Sequence, residues 1–148
     1  MAISPNDNFI AGQILTAVEC NQFPRGVMQF TKHITNVVYS SDTTIITMTP
    51  FTAVANRYYR ITFYMPQLSQ SAAGFATMKI KNGATVLNTA FAAMPALNGY
   101  EGIAIAVETL TAGSVTLTGT LTASTASGAT NNSATIYGFM LVEDIGPA

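Results

Sequence analysis

The chain has 148 residues, of which 49% are hydrophobic and 9% charged, with a net charge of −1. That is enough apolar material for one sizeable core, and it excludes intrinsic disorder, which needs low hydrophobicity and high net charge. Lys32, Lys79, Lys81, Arg25, Arg57 and Arg60 are scattered along the sequence, so no basic stripe points to nucleic acid. No apolar run approaches the roughly 20 residues of a membrane span.

The low charge is itself informative, because a typical soluble domain carries roughly 25% charged residues. Thr, Ser and Asn take over the polar role here. They hydrate well but hardly repel another copy. Two readings follow: a surface largely covered by partners, or the Thr/Ser-rich surface of a particle. The start, Met1-Ala2-Ile3-Ser4-Pro5-Asn6-Asp7, lacks the basic region and apolar stretch of a signal peptide. Synthesis in a cytoplasm is therefore expected.

Residues 1–26 read as an N-terminal arm. Thr16-Ala17-Val18-Glu19 has the form of a capping box. In that motif the Glu19 N–H donates to the Thr16 hydroxyl, and the Thr16 N–H donates to the Glu19 carboxylate. One or two helical turns follow and end before Pro24, since a residue preceding proline is pushed toward extended geometry. Phe9, Ile10, Ile14, Leu15 and Phe23 make this segment more apolar than a free tail. The arm docks either on another molecule or on its own domain.

From residue 27 to 148 the pattern is all-β. Strands are expected at Val27–His33, Thr43–Met48 and Arg57–Met65, the last ended by Pro66 because proline cannot donate to a sheet ladder. Phe75–Lys81 follows, then Asn82-Gly83 as a type I′ hairpin turn into Ala84–Phe91. Next, Ile103, Ile105 and Val107 alternate with Ala104, Ala106 and Glu108, and Val115–Thr122 alternates apolar residues with threonine. Period two means one buried and one polar face, as in an antiparallel sheet. A final strand, Ala134–Val142, carries Ile136, Met140 and Val142 on one face and Tyr137, Phe139 and Leu141 on the other. A strand apolar on both faces needs cover on both. About eight strands with almost no helix predict an antiparallel two-sheet jelly-roll-like sandwich.

Catalytic chemistry is thinly represented. His33 is the only histidine and has no evident nucleophile or orienting group, so it reads as structural. Cys20 is single, which leaves neither an internal disulfide nor a zinc site; a small buried side chain is the better reading. Glu143 and Asp144 are adjacent, so on a strand they point to opposite faces; they read as an exit loop. There is no phosphate-binding glycine loop. Asn131-Asn132-Ser133 matches a glycosylation acceptor, but carries little without a secretory signal. The expectation is a non-enzyme with no catalytic residues, metal or cofactor. Aromatics such as Tyr58, Tyr59 and Tyr64 read as core or interface before they read as sugar-stacking platforms.

Several strings are familiar. Phe9-Ile10-Ala11-Gly12-Gln13-Ile14-Leu15-Thr16-Ala17, Asn21-Gln22-Phe23-Pro24-Arg25-Gly26, Phe51-Thr52-Ala53, Arg57-Tyr58-Tyr59 and Leu141-Val142-Glu143-Asp144-Ile145-Gly146-Pro147 resemble small virion proteins of tailed bacteriophages. The resemblance implies a jelly roll that assembles as a homotrimer. Its place would be either as a cement or decoration protein on the head or as the knob of a tail-associated fibre. The absence of a heptad stem, collagen-like run or separate tail-attachment domain favours the capsid. The partners implied are copies of itself and a major capsid protein, without nucleic acid or membrane, and the location is the virion. In this reading Phe9, Ile10, Ile14, Leu15, Phe23 and Arg25 dock the arm on the capsid. Tyr58, Tyr64, Tyr137, Phe139 and Leu141 form the oligomer interface. The alternative is a receptor-binding knob that uses exposed aromatics and the loops at 67–74 and 123–133.

Overall fold

A computed structural model describes residues 23–95 and 99–148. Cys20, the capping box and arm residues Phe9, Ile10, Ile14 and Leu15 lie outside the described residues. Twelve strands occur among those described: β1 Gly26–His33, β2 Val38–Tyr39, β3 Thr43–Thr47, β4 Phe51–Ala53, β5 Arg57–Gln70, β6 Gly74–Asn82, β7 Thr85–Met94, β8 Tyr100–Thr109, β9 Gly113–Val115, β10 Leu117–Ala123, β11 Gly128–Thr130 and β12 Gly138–Pro147. Eight of them have five residues or more, and four have three or fewer.

The eight longer strands make a jelly roll. Taken in chain order, the first pairs with the eighth (β1 with β12), the second with the seventh (β3 with β10), the third with the sixth (β5 with β8) and the fourth with the fifth (β6 with β7), all antiparallel. These ladders are what results when a long antiparallel ribbon is folded at its middle and rolled up. Two more, β12 with β5 and β10 with β6, close the roll into sheets ordered β1-β12-β5-β8 and β3-β10-β6-β7. The short strands β11 and β2 extend the first sheet past the end of β12, and β4 with β9 forms a separate ribbon.

The core lies between the two sheets. From β5 come Tyr59, Ile61, Phe63, Met65 and Leu68, from β6 Met78 and Ile80, from β10 Leu117 and Leu121, and from β12 Met140 and Val142, all fully buried. The threonine-rich β10 illustrates how pattern becomes packing. Its inward positions are Leu117, Gly119 and Leu121, and a Cβ on Gly119 would sit 3.0 Å from the Phe63 ring. The glycine interrupts the leucines because Phe63 already fills that slot.

Three boundaries differ from expectation. Pro66 does not end β5, which runs on to Gln70. On one side the β5–β8 register shifts between Met65 and Leu68; on the other, β12 pairs only as far as Tyr64 and β11 begins at Leu68. Pro66 therefore occupies a gap in both ladders, where its missing N–H costs nothing. The hairpin turn is Gly83-Ala84, because Asn82 pairs with Thr85. Gly83 has φ 58° and Ala84 is not among the positive-φ residues, the pattern of a II′ turn with glycine first.

The third difference concerns the last strand. Residues 134–137 are not extended: the Ile136 N–H donates to Ser133 Oγ (3.0 Å) and the Ser133 N–H to the Ile136 carbonyl (2.6 Å). That local turn keeps Ile136 out of β12 and exposed. At the other end, Glu143 and Asp144 are strand residues, not an exit loop. They do point to opposite faces. Asp144 turns inward and binds Arg57, accepting from Nε and from Nη2 (2.8 Å). Both side chains are buried. Asp144 Oδ1 also accepts the Gly146 N–H (3.0 Å), at the bulge where the β12–β5 register shifts.

Breaking a buried pair by removing one member costs about 3–5 kcal/mol, because the remaining charge loses its oppositely charged partner. Asp144→Ala should therefore lower the unfolding free energy by that amount in urea titration. Glu143→Ala, whose partner Arg60 is half-exposed, should cost less than about 1 kcal/mol.

Candidate interaction surface

The two sheets differ in what they show outward. The second sheet presents threonine and a charged knot, and towards the β7 edge an exposed edge-on pair, Phe75 and Phe91, with Val86. Asp42 accepts hydrogen bonds from Lys81 and from Thr120 Oγ1 (2.7 Å), with Lys79 3.6 Å away. The Lys81 bond, helped by Thr120 and the lysine charges, holds the Asp42 carboxyl below its usual range against the opposing effect of burial.

The first sheet presents apolar rows. Register places Phe30, Leu141, Thr62 and Ile105 in one line across β1, β12, β5 and β8. A neighbouring line holds Lys32, Phe139, Tyr64 and Ile103, and on the other side Val27, Glu143, Arg60 and Val107 align. Phe139 sits between two aromatic rings, 5.6 Å from Phe30 and 5.3 Å from Tyr64. Ile103, Ile105 and Val107 remain 53, 45 and 51% exposed. On β8 it is Ala104 and Ala106 that are buried, so the bulkier side chains face out.

The crowding opposite explains the inversion. A Cβ on Gly102 would meet Met78 Sδ at 2.4 Å and Leu68 Cδ1 at 3.0 Å. Large side chains on β6 and β5 already occupy the interior beside β8, which leaves room only for glycine and alanine. Period-two alternation thus located the strand but not its buried side, because both faces are apolar.

Charged groups frame the patch. Lys32 Nζ lies 4.3 Å from the Tyr137 ring centroid at the β1 edge. At the β8 edge the Tyr64 hydroxyl donates to Glu101 Oε2 at 3.2 Å. Partial burial, then the Glu101 bond and charge, raise the Tyr64 phenol above its ordinary value. Arg60 Nη2 and Glu143 Oε2 pair at 2.7 Å in the middle.

Of the expected interface residues, Tyr64, Phe139 and Leu141 are together on this face. Tyr58 continues it along β5, and Tyr137 adjoins it through Lys32. Phe30, Ile103, Ile105 and Val107 belong to the same surface and were missed. Two expected arm residues touch the β-domain: the Phe23 carbonyl accepts from Arg57 Nη2, and Arg25 Nε lies 4.0 Å from Asp144. The segments at 67–74 and 123–133 also meet, with the Ser71 N–H donating to the Ser127 carbonyl (3.1 Å) and Thr125 Oγ1 to Gln70 Oε1 (2.9 Å). Val38, Ser69–Ser71 and Ser127–Ala129 line an open groove there, without an aromatic platform.

Among the described residues no group of three or more His, Cys, Asp or Glu side chains could hold a metal, and no helix is long and apolar enough to cross a membrane. No protein-family model and no curated protein matches the chain. Among solved structures it is similar to part of dimeric latent PorU from Porphyromonas gingivalis, with a TM-score of 0.48 and 10% identity over 84% of this chain. The chain spans 13% of that protein's length, and the likeness carries no functional argument.

His33 ends β1 opposite Gly138, with a buried Nε2 that has no hydrogen-bond partner. Burial lowers its pKa below 6.5, against a smaller opposing effect of a hydrogen bond to the Thr35 backbone. The unfolded chain then takes up the proton first, so this contribution to stability is intact above pH 6.5 and lost as pH falls through the folded value. His33→Gln should flatten the loss of stability on going from pH 7 to 5. Because the chain has one histidine, its NMR titration reads the folded pKa directly, and a midpoint at or above 6.5 would contradict the assignment.

Proposed function

We propose that this chain is a non-enzymatic structural protein that assembles through the outer face of the β1-β12-β5-β8 sheet and serves as a cement or decoration protein of a phage head. The observation that carries the reading is the set of apolar rows that runs across the outer face of this sheet. Across all four strands Phe30, Leu141, Phe139, Tyr64, Ile103, Ile105 and Val107 form a continuous apolar field, while the other sheet exposes Phe75, Phe91 and Val86 beside a stretch of threonine, lysine and aspartate. Contiguous apolar patches of this kind mark interaction sites, and the scarcity of charge elsewhere removes the usual barrier between copies. The virion setting comes from the resemblance of the terminal and early-strand motifs, since a jelly roll by itself hosts many functions.

In this role the protein binds the assembled shell and not its free subunits, which stabilises the shell by mass action. The apolar residues of the arm supply a second contact, and several arms on one oligomer add avidity.

Light scattering of the purified chain should show an oligomer that Phe139→Asp dissociates. Ile105→Asp should do the same with a smaller effect on folding, because that side chain is 45% exposed in the isolated chain and points to the outer face. Oligomers unaffected by both substitutions would remove this face from consideration. Deleting residues 1–22, which spares Phe23 and Arg25, should abolish binding to phage heads while leaving a folded oligomer; full binding by the truncated chain would sink the docking arm. Recovery of the protein with tails and not with tailless heads would turn the assignment to the tail-associated knob.

A further inference from the structure

Self-association through this face, on which the present inference rests, leaves the symmetry of the contact undetermined, but the pattern of the rows constrains it. When two identical sheets meet face to face in a closed pair, the two-fold axis lies in the plane between them. An axis parallel to the strands and passing between β12 and β5 lays β12 of one copy over β5 of the other, and β1 over β8. Phe139 then faces the second copy's Tyr64, Leu141 faces Thr62, and Phe30 faces Ile105. Each row meets its own reverse.

The charges follow the same operation. Glu143 and Arg60 share a row on β12 and β5, so Glu143 of each copy lies over Arg60 of the other, and two ion pairs become a square of four alternating charges. Lys32 on β1 comes over the β8 edge, in the row of Ile103. It leans toward Tyr137, which is the end of the face where Glu101 follows Ile103 along β8. An axis perpendicular to the strands, centred on the same rows, does the opposite. It drives Glu143 and Arg60 of each copy onto the second copy's Phe139 and Tyr64, which desolvates charge against aromatic rings at a cost of several kcal/mol.

We propose that two copies of this chain pack face to face through the β1-β12-β5-β8 sheets about a two-fold axis parallel to the strands, with Lys32 of each copy meeting Glu101 of the other and Arg60 meeting Glu143. Four strands at about 4.8 Å spacing and roughly eight residues at about 3.3 Å give a face of about 500 Å² in projection. Two such faces remove about 1,000 Å² from water, the lower bound for a specific contact. Aligned sheet packing at about 10 Å separation accommodates the twist of both.

Charge reversal tests the register. Lys32→Glu should weaken self-association about tenfold, since the contact occurs twice per pair, and Glu101→Lys should do likewise. The double variant Lys32→Glu/Glu101→Lys should return to within about threefold of the parent. Circular dichroism and thermal melting on each variant separate lost association from lost folding. A dimer by light scattering with this rescue supports the proposal. A dimer indifferent to both reversals overturns the register, and a trimer overturns the two-fold axis while leaving self-association through the face intact. A chain that stays monomeric at high micromolar concentration overturns both.

Discussion

The buried ion pair between Arg57 and Asp144 holds one end of the roll together. It joins the first residue of β5 to a residue near the C-terminal end of β12, and through the Phe23 carbonyl it also fixes the point where the chain enters β1. These are three adjacent strands of the sheet that bears the candidate surface. A bidentate guanidinium–carboxylate fork has strict geometry, so it sets the alignment of β5 and β12 more tightly than apolar contacts would. Alignment matters because rows such as Lys32–Phe139–Tyr64–Ile103 exist only in one register. A slip by one residue would turn every member to the other face.

The bulge beside that pair serves the same end. At Asp144 the ladder to β5 skips a residue, and the Gly146 N–H donates instead to the Asp144 carboxylate. Gly146 has φ 125°, a conformation open to glycine and strained for other residues. One acidic side chain thus satisfies the amide of the bulge and neutralises the buried arginine. The half-buried neighbour Glu143 pairs with Arg60 on the outer face, so adjacent carboxylates take opposite tasks because strand geometry separates them.

The sequence made the all-β class legible because its alternation is regular and its turns are marked by glycine and asparagine. The two-faced character of Phe139 and Leu141 against Met140 and Val142 was equally plain, and it led to part of the candidate surface. Other features depended on partners far along the chain. That Ile103 and Ile105 face outward follows from the bulk of Met78 and Leu68 across the interior, which no local window contains. Pro66 read as a strand end since the double gap in its ladders comes from β8, β11 and β12 together. Asp144 read as loop because its partner is 87 positions away.

Where the scarce charge is placed bears on specificity more than its total does. Of six cationic and seven anionic side chains, Lys32, Arg60, Glu101 and Glu143 stand around or within one apolar field. If the field served only to stick, charge there would be a cost without return, since each such group must lose water when the face is covered. The four are arranged with opposite signs across the β12–β5 midline, so a rotation about that line matches each with its complement. Aromatic and aliphatic side chains supply non-directional attraction; paired charges penalise every orientation but one. A surface that combines both is matched to one geometry of contact, as a repeating assembly requires.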